Sequence, residues 1–237
     1  MTFGTTSSGT FYFFNKKEQS IPIVFVHGVG LTHEIWQPQL DFFKKYSTLS
    51  YDILGHGKTP LEKKEISFDD FSDQLVKLID ELKIDKIHLV GFSLGSLIAL
   101  NFASKMQTKV DKLILIGTTY KRSVEERSLV IDRFNQAKLN KPISKQALKR
   151  WFTDEYLEKN PKTYDLFMNI LNKNSVDHKN FLKAYELFAN HEDNAQIVKN
   201  ITSKTLVMTG SDDPGSTPTM SKELVKDIPN SSYFEIK

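Results

Sequence analysis

The 237-residue sequence contains no cysteine, which removes disulfides, thiolate metal sites and cysteine nucleophiles at once. It has no long hydrophobic run. The most apolar stretch, Ile21-Pro-Ile-Val-Phe-Val26, falls far short of the roughly 20 residues a membrane-spanning helix needs. The opening residues, Met1-Thr-Phe-Gly-Thr-Thr-Ser-Ser8, lack both the basic and the apolar region of a secretory leader, so a cytoplasmic protein with no membrane partner is expected. Charge of one sign is not in excess: 32 Lys/Arg against 29 Asp/Glu is too even for a nucleic-acid surface. Repeats, low-complexity tracts and flexible linkers are missing too. The last absence concerns histidine. The six are His27, His33, His56, His88, His178 and His191, and none follows residue 191.

What is present describes an ordinary globular chain, 39% hydrophobic and 26% charged, long enough to bury a core without staples. Short apolar, β-branched runs alternate with helical patterns, the signature of a parallel α/β sheet. The runs are Ile21–His27, Leu49–Ile53, Ile87–Gly91, Lys112–Gly117, Thr205–Thr209 and Tyr233–Ile236. An earlier run, Phe11-Tyr-Phe-Phe14, suits an antiparallel hairpin with the strand at Ile21. Ser67 with Asp70 predicts a capping box ahead of an apolar helical face of Phe68, Phe71, Leu75, Leu78, Ile79 and Leu82. Thr217-Pro218 predicts an N-cap followed by proline in the first turn.

Residues 121–204 show no strand pattern, whereas aromatics recur at helical spacing from Trp151 to Phe188. This reads as a helical lid inserted into a core formed by residues 1–120 and 205–237. The lid holds 16 Lys/Arg and 11 Asp/Glu. That excess suits an anionic substrate, although lysines on a solvated helical face account for it as well.

Chemistry concentrates at strand ends. Gly91-Phe92-Ser93-Leu94-Gly95 lies between the Ile87–Val90 strand and an apolar helix from Leu97, the context a G-x-S-x-G nucleophile turn requires. Glycines two positions either side let backbones approach without a Cβ clash. The helix N-terminus favours developing negative charge at Ser93. Acyl transfer also needs two backbone N–H donors for the oxyanion. Leu94, directly after Ser93, offers one, and Val29 in His27-Gly28-Val29-Gly30 is the best candidate for the other. Asp52-Ile-Leu-Gly55-His56-Gly57 reads alone as a glycine-rich turn. In Gly210-Ser-Asp-Asp-Pro214, an acid at a strand's C-terminal edge can orient a histidine base. Asp213 fits better than Asp212, which could equally cap the loop.

In this order the four motifs resemble the α/β-hydrolase fold superfamily, from about residue 10 to the end. The resemblance implies a mostly parallel, doubly wound sheet with an inserted helical lid. It implies Ser93 as nucleophile, Asp213 as triad acid, and the Val29 and Leu94 N–H groups as oxyanion hole. Serine at the turn departs from the dehalogenase and epoxide-hydrolase branches, which place aspartate there. A narrower likeness, carried by His27–Trp36 and Gly210–Pro218, is to 3-oxoadipate enol-lactonases and pimeloyl methyl ester carboxylesterases. The expected activity is hydrolysis of a small carboxylic ester or lactone through an acyl-enzyme, without cofactor or metal. A carbon–carbon bond hydrolase of the same fold and an inactive small-molecule-binding homologue are the alternatives.

One departure from the family's pattern stands out. The triad needs a histidine after Asp213, and none occurs before Lys237. His27 and His56 belong to turns, His88 to a strand, His33 to the entrance loop, and His178 and His191 to solvated lid positions. His191 and His33 are the least unsuitable replacements for the base. The expectation is a chain that stops before its histidine loop and covering helix, with apolar sheet surface exposed and negligible esterase activity.

Overall fold

The structure is a computed structural model that describes residues 2–18, 20–139, 144–174, 178–193 and 195–237. Eight strands form one sheet: β1 (Thr2–Thr5), β2 (Phe11–Asn15), β3 (Ile23–Val26), β4 (Thr48–Tyr51), β5 (Ile87–Phe92), β6 (Val110–Ile116), β7 (Lys204–Gly210) and β8 (Ser231–Ile236). The spatial order is β1-β2-β4-β3-β5-β6-β7-β8. From β4 to β8 all neighbours run parallel, and only β1 and β2 are antiparallel. Strand order reverses between β3 and β5, so a crevice opens beyond their C-terminal ends, where open α/β sheets place ligands.

The hairpin expected between Phe11–Phe14 and Ile21 does not form. β2 pairs with β1 on one side, Thr2 opposite Phe14, and with β4 on the other, Tyr12 opposite Tyr51. The tight turn is the one before β2. There Gly9 takes φ +84° and its N–H donates to Thr6 O at 2.9 Å, a conformation glycine adopts at no steric cost. No described residue between Asn15 and Ile23 takes a positive φ, and β4 slots between β2 and β3 instead.

The helices are α1 (Gln37–Phe42), α2 (Phe68–Glu81), α3 (Leu94–Lys105), α4 (Val124–Lys138), α5 (Ser144–Trp151), α6 (Asp154–Lys159), α7 (Pro161–Asn174), α8 (His178–Ala189), α9 (Ala195–Lys199) and α10 (Pro218–Asp227). Both predicted caps form. The Ser67 N–H donates to Asp70 Oδ2 at 2.8 Å, and the Met220 N–H donates to Thr217 Oγ1 at 3.3 Å. The face of α2 carrying Phe71, Leu75, Leu78 and Ile79 is fully buried, and each side chain contributes about 1.5–3 kcal/mol of transfer free energy. α4–α9 all lie between β6 and β7, and no described residue from 121 to 203 is in a strand, whereas Lys204, read with the insertion, already opens β7. No helix among the described residues is long and apolar enough to cross a membrane.

The two faces of the sheet are unequally covered. Alternate residues point to opposite sides. On one side Leu113, Leu115 and Val207 are fully buried in a core shared with α2, α3 and α10. On the other, Ile114, Ile116, Leu206 and Met208 are only half-buried, and Phe234 and Ile236 are 55% and 43% exposed. The second core cluster there gathers Phe13, Phe25, Trp36, Leu40 and Val90, around the residues of α1 and the turn before it.

Candidate active site

Ser93 sits at the C-terminal end of β5 with φ 54° and ψ −119°. A left-handed φ on a non-glycine residue costs about 1–3 kcal/mol and persists only where the surroundings over-determine it. Here they do. The Ser93 N–H donates to Ile116 O at 2.9 Å, and its carbonyl accepts the Ser96 N–H at 2.9 Å, so the residue is held from β6 and from the first turn of α3. The flanking glycines are steric necessities. A Cβ on Gly91 would lie 2.4 Å from Gly95 O, and one on Gly95 would lie 2.3 Å from Val26 O.

Ser93 lines a cavity of about 200 Å³ together with Val29 and Asp213. The β3 loop lies directly against it, since a Cβ on Gly28 would come within 3.1 Å of Ser93 Cβ. Leu94 is buried and opens α3, so its N–H has no partner four residues back within the helix. Asp213 Oδ1 accepts the Gly215 and Ser216 N–H groups at 2.8 and 2.9 Å. Those bonds fix the carboxylate and leave Oδ2 toward Gly117. Asp212 is exposed and does not line the cavity.

Two residues that the sequence did not single out also face this cavity, Arg133 from α4 and Arg150 from α5. Neither takes part in an ion pair among the described residues, and Arg150 donates to Gln146 O in its own helix, at 3.2 Å. Burial and the neighbouring Arg133 push the Arg150 guanidinium below its ordinary value. Burial raises the Tyr185 phenol beside them, against the pull of the two cations. An excess of lysine and arginine was legible in the insertion, but not which of them point inward.

The histidines lie elsewhere. His27 and His56 are fully buried and doubly hydrogen-bonded. His27 Nε2 accepts the Ile53 N–H at 3.1 Å while Nδ1 donates to Gly28 O at 2.8 Å. His56 Nε2 accepts the Gly30 N–H at 3.0 Å while Nδ1 donates to Leu54 O at 3.1 Å. Burial, helped by neighbouring His56, pushes His27 down to about 3, and burial pushes His56 down to about 4. His33 donates through both its backbone N–H and Nδ1 to Asp52 Oδ1, each at 2.8 Å. Burial would raise the Asp52 carboxyl, but the His33 hydrogen bond and the nearby imidazoles bring it below its usual value. His88 lies on β5 beside Asp111. His191 is half-buried against Phe68 rather than solvated. The side chain of His178 falls outside the described residues. None of the other five lines the Ser93 cavity.

Known proteins resemble this chain in sequence and in fold. The chain is 30% identical over 226 residues to (E)-2-((N-methylformamido)methylene)succinate hydrolase of Acinetobacter baylyi, covering 94% of this chain and 84% of that protein. It is 24% identical to 3-oxoadipate enol-lactonase 2 of the same organism, over 82% of this chain and 72% of that one. The crystal structure of the enol-lactonase from Burkholderia xenovorans LB400 superposes with a TM-score of 0.88 at 22% identity, covering 100% of this chain and 91% of that one, a likeness of fold. Residues 21–237 match the family described as alpha/beta hydrolase fold, and the chain belongs to that family.

Proposed function

We propose that this chain is a serine hydrolase of small carboxylic esters or lactones that carry a second, anionic group. The observation that supports it most is Ser93, held in a strained turn at the edge of a cavity it shares with Asp213 and Val29. In this reading Ser93 Oγ attacks the carbonyl carbon. The oxyanion is received by the N–H groups of Val29 and Leu94, and the acyl group passes to Ser93 before water releases it. Asp213 Oδ2 is the oxygen that would orient an imidazole, because Oδ1 is occupied by backbone donors. With no described histidine lining the cavity, the Ser93 proton passes to water there; the ester or lactone C–O bond breaks as the Oγ–acyl bond forms, and the departing oxygen takes a proton back from that water. The helical insertion acts as the lid, and Arg133 and Arg150 supply positive charge for the substrate's anion. The relatives named above act on a succinate derivative and an oxoadipate lactone, by their names, and this fits the two arginines.

A specific observation also favours a second reading, a small-molecule binder without turnover: the same lack of a described histidine in the cavity. One experiment separates the two. The protein is treated with a p-nitrophenyl alkylphosphonate, with and without added imidazole, and the adduct is located by mass spectrometry. The hydrolase reading expects phosphonylation at Ser93, faster with imidazole and abolished in Ser93→Ala. Equal, slow release of p-nitrophenol from both proteins under all conditions overturns it in favour of the binder.

A further inference from the structure

We propose that His27 and His56 are positioning residues that fix the two peptide planes flanking Val29, and so aim the Val29 N–H at the Ser93 cavity. The inference rests on the reading of Val29 as an oxyanion donor. A peptide unit is planar and trans, so its C=O and N–H point in opposite directions. The Gly28 carbonyl and the Val29 N–H belong to one such unit. His27 Nδ1 donates to that carbonyl at 2.8 Å, and the Leu31 N–H also reaches it at 3.3 Å. Holding the oxygen on the protein side turns the Val29 N–H to the other side, and Val29 is the loop residue that lines the cavity. The next unit, Val29 C=O with Gly30 N–H, is held by His56 Nε2 at 3.0 Å.

The tautomers follow from these contacts. Each Nε2 faces a backbone N–H, from Ile53 for His27 and from Gly30 for His56, so each must be an unprotonated acceptor, and the proton resides on Nδ1. Both rings are anchored in the Asp52–Gly57 turn, His27 through Ile53 and His56 through Leu54 O. Asp52 ties the far end of the same loop by accepting both His33 donors. The Asp52–Gly57 turn, which has no chemistry of its own, thus becomes the template for the loop that carries Val29. α8 closes the assembly from above. The Phe181 ring lies 5.9 Å from that of His56, and a Cβ on Gly30 would meet Phe181 at 3.0 Å.

Four substitutions test this by chemistry rather than by bulk. Asparagine places its amide near the δ position of the ring and glutamine near the ε position. His27→Asn keeps a donor for Gly28 O, and His27→Gln loses it. His56→Gln keeps an acceptor for the Gly30 N–H, and His56→Asn loses it. Phosphonylation of Ser93 by the p-nitrophenyl alkylphosphonate, in imidazole, is expected to slow about tenfold or more in His27→Gln and His56→Asn, a fraction of the 10²–10³ lost when a whole oxyanion donor is removed. His27→Asn and His56→Gln should stay within about threefold of the parent. Melting temperatures of all four are measured alongside. Rates that follow melting temperature regardless of which nitrogen is kept would reduce both histidines to packing and overturn the proposal. Amide hydrogen exchange gives a readout that does not depend on Ser93. Gly30 should be protected in the parent and in His56→Gln and should exchange faster in His56→Asn. An unprotected Gly30 in the parent would overturn the clamp, whereas protection without any phosphonylation would instead remove the Ser93 reading and leave the clamp standing.

Discussion

Ser93 has two very different sides. Beneath it, around the loop from His27 to His33, the buried polar atoms of His27, Asp52 and His56 are all matched: each imidazole both donates and accepts, and both Asp52 oxygens accept backbone or ring N–H groups. Above it, in the cavity, the cations meet neutral partners, Tyr185 beside Arg133 and Gln146 O beside Arg150. Arg133 and Arg150 have no carboxylate partner among the described residues, and Asp213 has only one of its oxygens engaged by backbone donors. A buried polar group left unpaired costs stability, and a paired one contributes rigidity. The lower side is therefore framework. The upper side carries the groups to which the proposed chemistry assigns a ligand, with some loss of stability.

The contrast is sharpest in a substitution of Asp52. Asp52→Ala strands three donors, the His33 N–H, His33 Nδ1 and the Lys58 N–H, and should cost about 3–5 kcal/mol in urea unfolding. A loss below 1 kcal/mol would show that the lower side is not a framework.

Acid should act on the same side. His27 and His56 stand at about 3 and about 4 when folded, against 6.5 for an exposed imidazole. Below pH 6.5 the unfolded chain binds protons that the folded chain refuses, so stability complete above that pH is lost as pH falls toward 4. Each histidine contributes about 1.4 kcal/mol per pH unit over that window. Asp52, held low, keeps its contribution until pH falls through the carboxylate range. Urea unfolding at pH 7 and pH 5 gives the slope, and a flat profile would contradict the buried neutral tautomers.

On the upper side the sign reverses. Arg150→Met removes a half-repelled cation, so the melting temperature should hold or rise. Binding of an anionic ester should weaken about tenfold, roughly 1.4 kcal/mol, with little change for a neutral ester of equal size. Equal effects on both esters would remove the anion role. The smallest effect belongs to a site remote from both sides. Phe234→Lys on the open sheet face should alter stability by less than about 0.5 kcal/mol while reducing binding of an apolar dye.

The sequence revealed the turn at Ser93 because its requirements are local: two glycines, a strand before and a helix after, all within a dozen residues. The caps at Ser67 and Thr217 were legible for the same reason. β1 was not, since Thr-Phe-Gly-Thr has no apolar run and gains its place only by pairing with β2. The partner of β2 was misread because nearness in sequence suggested β3, whereas β4 arrives from more than thirty residues away. Arg133 and Arg150 were hidden among many cations, since the inward face of an inserted helix depends on what it packs against. The roles of His27 and His56 were hidden for a related reason. Which ring nitrogen meets which N–H is decided only when two loops, 26 residues apart in sequence, come together.

The left-handed backbone at Ser93 has a consequence for anyone improving this protein by selection. Glycine is the residue for which φ 54° carries no penalty, so Ser93→Gly should unfold later than the parent by about 1 kcal/mol. A screen that rewards heat resistance alone would drift toward that substitution and erase the one hydroxyl on which the proposed chemistry depends. Thermal selection on this scaffold needs an activity gate at residue 93.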